Sequence, residues 1–297
     1  MTYRELWQTL IPTYDEREAK SIARLVFEQR FGLSMTDICI GKDKQLSDKT
    51  NNETKKIAER LLQNEPVQYV LGCETFCGRT FKVRPGVLIP RPETAGLITL
   101  MKQLRDPQKP SADILDIGTG SGCIAVTAAL DIPGADVTAW DISGEALATA
   151  TENAGRLGAQ VRMARRDALR PPEDNGLWDF VVSNPPYICE KERAEMSRNV
   201  LDHEPATALF VPDNDPLMFY RAIARYSRNA LRRGGWLLFE INPLYAGEML
   251  TLLAEGRFDN INISDDMFGR KRFAVAQRPC DSDAAACYDR KNDTHYD

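Results

Sequence analysis

Apolar residues recur at helical spacing after Thr13, at Ala19, Ile22, Ala23, Leu25 and Val26, and the stretch ETKKIAERLLQ repeats the pattern with Ile57, Leu61 and Leu62. Thr2 with Glu5 and Thr13 with Glu16 have the spacing of capping boxes. Pro66 can open one further helical turn and Gly72 can close it. Residues 1–72 therefore read as an N-terminal helical domain. The pattern changes over 73–90, CETFCGRTFKVRPGVLIP: Phe76, Phe81, Val83 and Val87 favour extended chain and Gly78 can turn it, so this stretch reads as a β-hairpin linker. PRPET then starts a helix. From residue 112 a strand, a glycine turn and a helix follow one another repeatedly. ADILDIG, DVTAWD, VRMARRD, WDFVVSN and GWLLFEI read as strands, and INISDD with RFAVAQ as a closing pair. CIAVTAAL, GEALATATENAGRLG (stopped by Gly158), PLMFYRAIARYSRNALRR and LYAGEMLTLLAEG read as helices. The third of these is expected to be capped by Asp215-Pro216 and ended by Gly234-Gly235. Residues 91–278 are thus an α/β domain with a mostly parallel sheet covered by helices on both faces. Residues 279–297 are polar and read as a disordered tail.

Composition narrows the function classes. The chain has 297 residues and is 43% hydrophobic, which suits globular packing, and no apolar run is long enough to cross a bilayer. The N-terminus carries acids at once and lacks a signal-peptide layout, so a cytoplasmic protein is expected. Seven cysteines form no zinc-spaced set, so reduced thiols and no metal are expected. With only two histidines, His203 and His295, a Ser-His or Cys-His nucleophile is disfavoured. A net charge of −5 and a charge-balanced N-terminal region argue against a chain that grips nucleic-acid backbones.

In a sheet of this kind ligands bind at the carboxyl ends of the strands. The first end is Asp116-Ile117-Gly118-Thr119-Gly120-Ser121-Gly122, whose alternating glycines let the backbone turn sharply and approach a ligand. A dinucleotide fingerprint would need glycine at 123, where Cys123 stands. The second end, Asp141, can accept both hydroxyls of a ribose, and the third, Asp167, can accept an exocyclic amine of a purine flanked by Ala168. Each acid could instead be a helix cap, but together the three ends describe a nucleoside pocket without phosphates, which S-adenosyl-L-methionine fits. The fourth end is VVSNPPYI. Each proline stiffens the residue before it and has no N–H, so the Asn184 side-chain oxygen and the Pro185 carbonyl are fixed acceptors. Two acceptors can hold the two hydrogens of a planar –NH2 group, with Pro186 beside them and Tyr187 packed flat against the group. An amide nitrogen is a poor nucleophile, and aligning it with a sulfonium methyl supplies proximity without a histidine base. These residues point to an amino methyltransferase and leave glutamine and adenine both open.

The motifs PVQYVLG (66–72), VLIPRPET (87–94), LDIGTGSGCIA (115–125), VSNPPYI (182–188), EPATALF (204–210) and LMFYRAI (217–223) span almost the whole chain. In them the sequence resembles the release factor glutamine methyltransferases of the PrmC/HemK type. The resemblance implies a class I S-adenosylmethionine-dependent methyltransferase fold, Rossmann-like with a mostly parallel seven-stranded sheet. It also implies methyl transfer to the side-chain amide (N5) of the glutamine in the Gly-Gly-Gln motif of class I bacterial release factors, with S-adenosyl-L-homocysteine as product. No membrane and no direct nucleic-acid substrate are expected; the alternative is an N6-adenine methyltransferase acting on DNA or RNA. Gly118, Thr119, Gly120, Ser121 and Gly122 would wrap the methionine part, Asp141 would hold the ribose, and Asn184, Pro185, Pro186 and Tyr187 would hold the glutamine amide. The helical N-terminal part would help dock the release factor. Two positions depart from the family pattern. Ala95 follows Thr94 where an acid is common, and Asn242-Pro243 follows Glu240-Ile241 where glycine is common. Arg91 and Glu93 could orient the linker near the cofactor or form an ion pair.

Overall fold

A computed structural model describes residues 1–280 of the chain. The tail expected over 279–297 lies, from residue 281 onward, outside the described residues. Helices Tyr3–Leu10, Glu16–Leu25, Asp48–Leu61 and Val67–Leu71 build the N-terminal part. Their apolar faces close on one core that includes Leu6, Leu10, Ile22, Phe27, Ile57 and Leu61. The Thr2–Glu5 capping box forms. The box expected at Thr13 does not: Asp15 stands extended before the helix and its carboxylate accepts the Glu18 N–H at 2.9 Å. Gly72 ends the last helix in the left-handed region.

Strands β1 (Cys73–Phe76) and β2 (Arg79–Lys82) form the linker hairpin. Its two turn residues, Cys77 and Gly78, both have positive φ, the geometry whose twist matches that of the strands. There follow β3 (Ala112–Ile117), β4 (Ala135–Asp141), β5 (Val161–Arg165), β6 (Trp178–Ser183), β7 (Ile188–Cys189), β8 (Phe210–Val211), β9 (Leu231–Glu240), β10 (Asp259–Asp265) and β11 (Lys271–Gln277). Seven of them form one sheet in the order β10-β11-β9-β6-β3-β4-β5. All neighbours are parallel except β11, which runs antiparallel to β9 and β10. Separate apolar cores cover the two sheet faces, one containing Ile114, Val137 and Phe180, the other Leu115, Val181 and Phe239. From β3 the chain winds outward through β4 to β5 and then crosses to β6 on the other side of β3. The ends of β3 and β6 are therefore the switch point at which a parallel sheet opens a crevice.

Three boundaries differ from the sequence reading. β5 stops at Arg165, so Asp167 lies in the turn beyond it. The long helix begins at Met218 with no side-chain cap, because the Asp215 carboxylate pairs with Arg221 at 3.0 Å instead. That helix ends at Ala230, and Gly234-Gly235 lie inside β9. A Cβ on Gly235 would stand 2.9–3.1 Å from three carbonyl oxygens, those of Arg232, Asp179 and Trp178, so this glycine serves close packing rather than helix termination. Among the described residues no helix is long and apolar enough to cross a membrane.

Candidate active site

A cavity of about 520 Å³ opens over the ends of β3, β4, β5 and β6. Of the residues singled out in the sequence, Gly118, Thr119, Gly120, Ser121, Asp141, Asp167, Ala168, Asn184, Pro185 and Pro186 line it together. Its volume is that of a site for a ligand of nucleoside size. Gly122 and Tyr187 are not on its wall.

The glycine loop is built from backbone. Gly118, Gly120 and Gly122 all have positive φ, which side-chain-bearing residues rarely adopt. Around Gly118 and Gly120 a Cβ would meet nothing within 4 Å, so their bare faces leave room for a ligand. Gly122 does different work. It sits at the N-terminus of helix Cys123–Asp131, and a Cβ there would press on Ala150 at 3.0 Å, so it packs two helices together behind the loop. Beneath the loop lies Asp116, fully buried. Its Oδ2 accepts the Thr119 hydroxyl at 2.6 Å. Burial pushes its carboxyl up to about 7, and hydrogen bonds from the Thr119 hydroxyl and the Ala125 amide oppose that shift.

Asp141 ties two segments together. One oxygen accepts the Gly120 N–H and the other the Ser143 N–H, each at 2.9 Å. The following helix is capped by the Ser143 side chain, so Asp141 is not the helix cap. Each carboxylate oxygen keeps a free lone pair, and that fits the acceptance of two vicinal hydroxyls. Burial raises its pKa, and the Ser143 and Gly120 amides oppose the rise. The Asp167 carboxylate accepts the Leu169 N–H at 2.9 Å and holds the turn that brings Ala168 and Leu169 to the cavity. Together the bare loop and the two acids fit S-adenosyl-L-methionine.

At the far end of the cavity the Asn184 Nδ2 donates to the Thr94 hydroxyl at 3.4 Å, and no partner holds Oδ1 among the described residues. Thr94 donates in turn to Glu240 Oε2 at 2.6 Å. Tyr187, expected flat against the substrate, instead packs its ring beside the β9 core and donates its hydroxyl to Glu240 Oε1 at 3.1 Å. The reason is Glu240 itself, a nearly fully buried acid that requires donors. Asn242 fastens the same corner: its amide donates to the Tyr187 carbonyl at 3.2 Å and to Glu192 at 3.1 Å.

Several wall residues were not legible as such. Arg91 pairs not with Glu93 but with Glu204, 113 positions away, at 2.6 Å, and the Glu204 side chain is only 1% exposed. Glu204 also accepts the Ile89 N–H at 3.2 Å, fastening the linker to the segment carrying Pro205, Thr207 and Ala208 across the cavity. The Tyr69 hydroxyl reaches from the N-terminal helices to the Val87 carbonyl at 2.7 Å. The one available signal was the motif pair VLIPRPET and EPATALF.

Comparison with known proteins gives the following. A family model described as "Methyltransferase small domain" matches residues 79–208, and one described as "PrmC N-terminal domain" matches residues 8–72. The chain is 46% identical to the release factor glutamine methyltransferase of Bacteroides thetaiotaomicron, over 91% of this chain and 97% of that one. It is 37% identical to the protein of the same name from Flavobacterium psychrophilum, over 89% and 94%. Among solved structures it is similar to a ribosomal protein L11 methylase from Lactobacillus delbrueckii subsp. bulgaricus, with TM-score 0.46 and 23% identity over 66% of this chain and 84% of that one.

Proposed function

Since this chain belongs to the release factor glutamine methyltransferase family, we propose that Asn184, Pro185 and Pro186 receive the glutamine side-chain amide of a class I bacterial release factor, in its Gly-Gly-Gln motif. The reaction is methylation of that glutamine, with S-adenosyl-L-methionine as donor and S-adenosyl-L-homocysteine as product. When bound, the donor supplies an electrophilic methyl on a sulfonium centre.

The chain's own residues do the rest. Gly118, Thr119, Gly120 and Ser121 cradle the methionine part, Asp141 accepts from the ribose, and Asp167 with Ala168 borders the base. The Asn184 Oδ1 and the Pro185 carbonyl accept the two N–H bonds of the substrate amide. Hydrogen bonds accepted from both N–H groups add electron density to the nitrogen, whose lone pair stands perpendicular to the amide plane and faces the methyl. As the N–CH3 bond forms the S–CH3 bond would break to leave the neutral thioether, and the nitrogen would release one N–H proton along its hydrogen bond to the Asn184 or Pro185 oxygen toward water. Proximity and alignment are the principal contributions; well-oriented groups can gain roughly 7–11 kcal/mol in this way. The helical region over 1–72 helps dock the release factor, and the Tyr69 bond ties it to the cavity wall. No nucleic-acid substrate is involved.

One observation carries this reading: Asn184 and the glycine loop line the same cavity, with the Asn184 oxygen unpartnered. Mass spectrometry of a release factor after incubation with the enzyme and labelled donor tests it. One added methyl on the Gly-Gly-Gln glutamine is expected. Label in nucleic acid and none in the release factor would overturn it in favour of an adenine methyltransferase.

A further inference from the structure

An asparagine amide has two nearly isosteric ends, an acceptor and a donor, and a half-turn exchanges them. Only one orientation serves a substrate that itself offers N–H bonds. The hydrogen bonds behind Asn184 choose between the two.

Glu240 ends β9 and is 1% exposed. Its two oxygens accept from different donors, the Thr94 hydroxyl at 2.6 Å and the Tyr187 hydroxyl at 3.1 Å. Burial raises the Glu240 pKa, but both oxygens accept and the Thr94 and Tyr187 donors with the Arg272 charge oppose that rise. A carboxylate so held has no proton to give, so Thr94 spends its single proton on Glu240. Only the lone pairs of the Thr94 hydroxyl then remain for Asn184, which is 90 positions away in sequence and 3.4 Å distant. Asn184 can meet an acceptor only with Nδ2, and its oxygen is left for the ligand. We propose that Glu240 and Thr94 are positioning residues that set the orientation of the Asn184 amide, so that its oxygen rather than its nitrogen is presented to the substrate. This rests on the reading that Asn184 receives the glutamine amide. A reversed amide would set N–H against N–H and repel the substrate it should hold.

The relay explains why the residue behind Thr94 is an acid. A glutamine at 240 has the same shape, but with its oxygen held by the Tyr187 hydroxyl it would offer N–H to Thr94. The threonine proton would then turn toward Asn184 and call for its oxygen, reversing the polarity at the cavity.

The test uses the full-length enzyme with a release factor as substrate, and three variants: Thr94→Val, which keeps the shape and removes the hydroxyl, Thr94→Ser, which keeps the hydroxyl, and Glu240→Gln. Circular dichroism and donor affinity by calorimetry accompany kcat and KM. We expect kcat to fall about ten-fold or more in Thr94→Val and Glu240→Gln, the size of one well-placed polar interaction, with Thr94→Ser within about two-fold of the parent. Donor affinity stays unchanged, and the Thr94→Val/Glu240→Gln double variant is no slower than the slower single one, because both break the same chain. Parent-like kcat in Thr94→Val or Glu240→Gln overturns the relay. So does a loss in either that comes with weakened donor binding, or a loss that Thr94→Ser fails to restore, since those mark a purely structural role. Asn184→Ala separates the two levels. If it is inactive while Thr94→Val is not, the relay fails and the reading of the site stands; near-normal turnover in Asn184→Ala removes the reading itself.

Discussion

At one end of the cavity, four consecutive residues, Gly118 to Ser121, and the Asp141 carboxylate that accepts the Gly120 N–H form a surface made mostly of main chain. At the other end, Asn184, Thr94 and Glu240 come from three distant parts of the chain and meet only through side chains. The first end is fixed locally, by left-handed glycines and the strand ends they join. The second is fixed by tertiary packing, through the antiparallel return of β11 beside β9 and the burial of Glu240. A ligand whose shape is constant can be held by backbone. A reacting amide needs its donors and acceptors sorted, and side chains with a defined polarity do that sorting. The two ends should therefore fail in different ways.

Substitution at Asn184 should produce the largest effect. Asn184→Ala is expected to lower kcat by about two orders of magnitude or more, since misplacing a reacting group by an ångström can cost that much. Donor affinity by calorimetry should stay close to that of the parent, because the loop and both acids are intact. Turnover near normal would dissolve the distinction between the ends. Asp141→Ala should do the reverse. Losing charge-assisted bonds to the ribose is expected to weaken donor binding by about 1.5–3 kcal/mol, roughly 10- to 100-fold, while kcat at saturating donor changes much less. An unchanged dissociation constant would remove Asp141 from the binding surface.

Asp116 separates the ends by pH. Burial lifts its pKa in the folded chain to about 7 from the usual aspartate value of 3.8. Between those values the folded state holds a proton that the unfolded state has released. Stability contributed by this group is therefore full below about pH 4 and is lost as pH rises toward 7, by up to about 1.4 kcal/mol per unit. Asp116→Asn should flatten that slope in denaturant titrations run from pH 5 to 7. An unaltered slope would show that the loop does not desolvate its acid.

The contrast between the ends also governs how much the sequence revealed. Gly118, Gly120, Asp141 and the Asn184-Pro185-Pro186 run were legible because local chemistry demands those residue types: left-handed φ selects glycine, and a strand cannot continue through paired prolines. The alternation of strands and helices was legible for the same local reason. Partnerships were not. Thr94 and Glu240 lie 146 positions apart, and the ordinary words PRPET and FEI do not announce that they meet. Glu204 likewise closes on Arg91 only when the segment after β7 folds back over the cavity. Asp215 satisfied the pattern of a helix cap, yet its carboxylate turns to a nearby Arg221. The tyrosine of the NPPY run looked like a substrate-facing ring, and only the buried Glu240 shows why its hydroxyl points elsewhere.

Tyr187 gives the smallest and most discriminating effect. If its ring served as the flat platform first expected, removing the hydroxyl would leave the platform in place and Tyr187→Phe would behave as the parent. In the structure the hydroxyl is the second donor to Glu240, and burial with the nearby Glu240 charge raises its pKa, so it stays protonated and donating across the working range. Tyr187→Phe leaves Glu240 with the Thr94 bond and the field of Arg272. The carboxylate loses one of two stabilising contacts, and its proton affinity rises further. A protonated Glu240 could hand a proton to Thr94 and release the constraint on Asn184. We therefore expect a loss of about two- to five-fold in kcat, consistent with one net hydrogen bond of about 0.5–1 kcal/mol, and a loss that deepens as pH falls. Donor affinity should not move. A pH-independent Tyr187→Phe rate equal to the parent would assign the tyrosine to packing alone and show that Glu240 holds the Thr94 proton without a second donor.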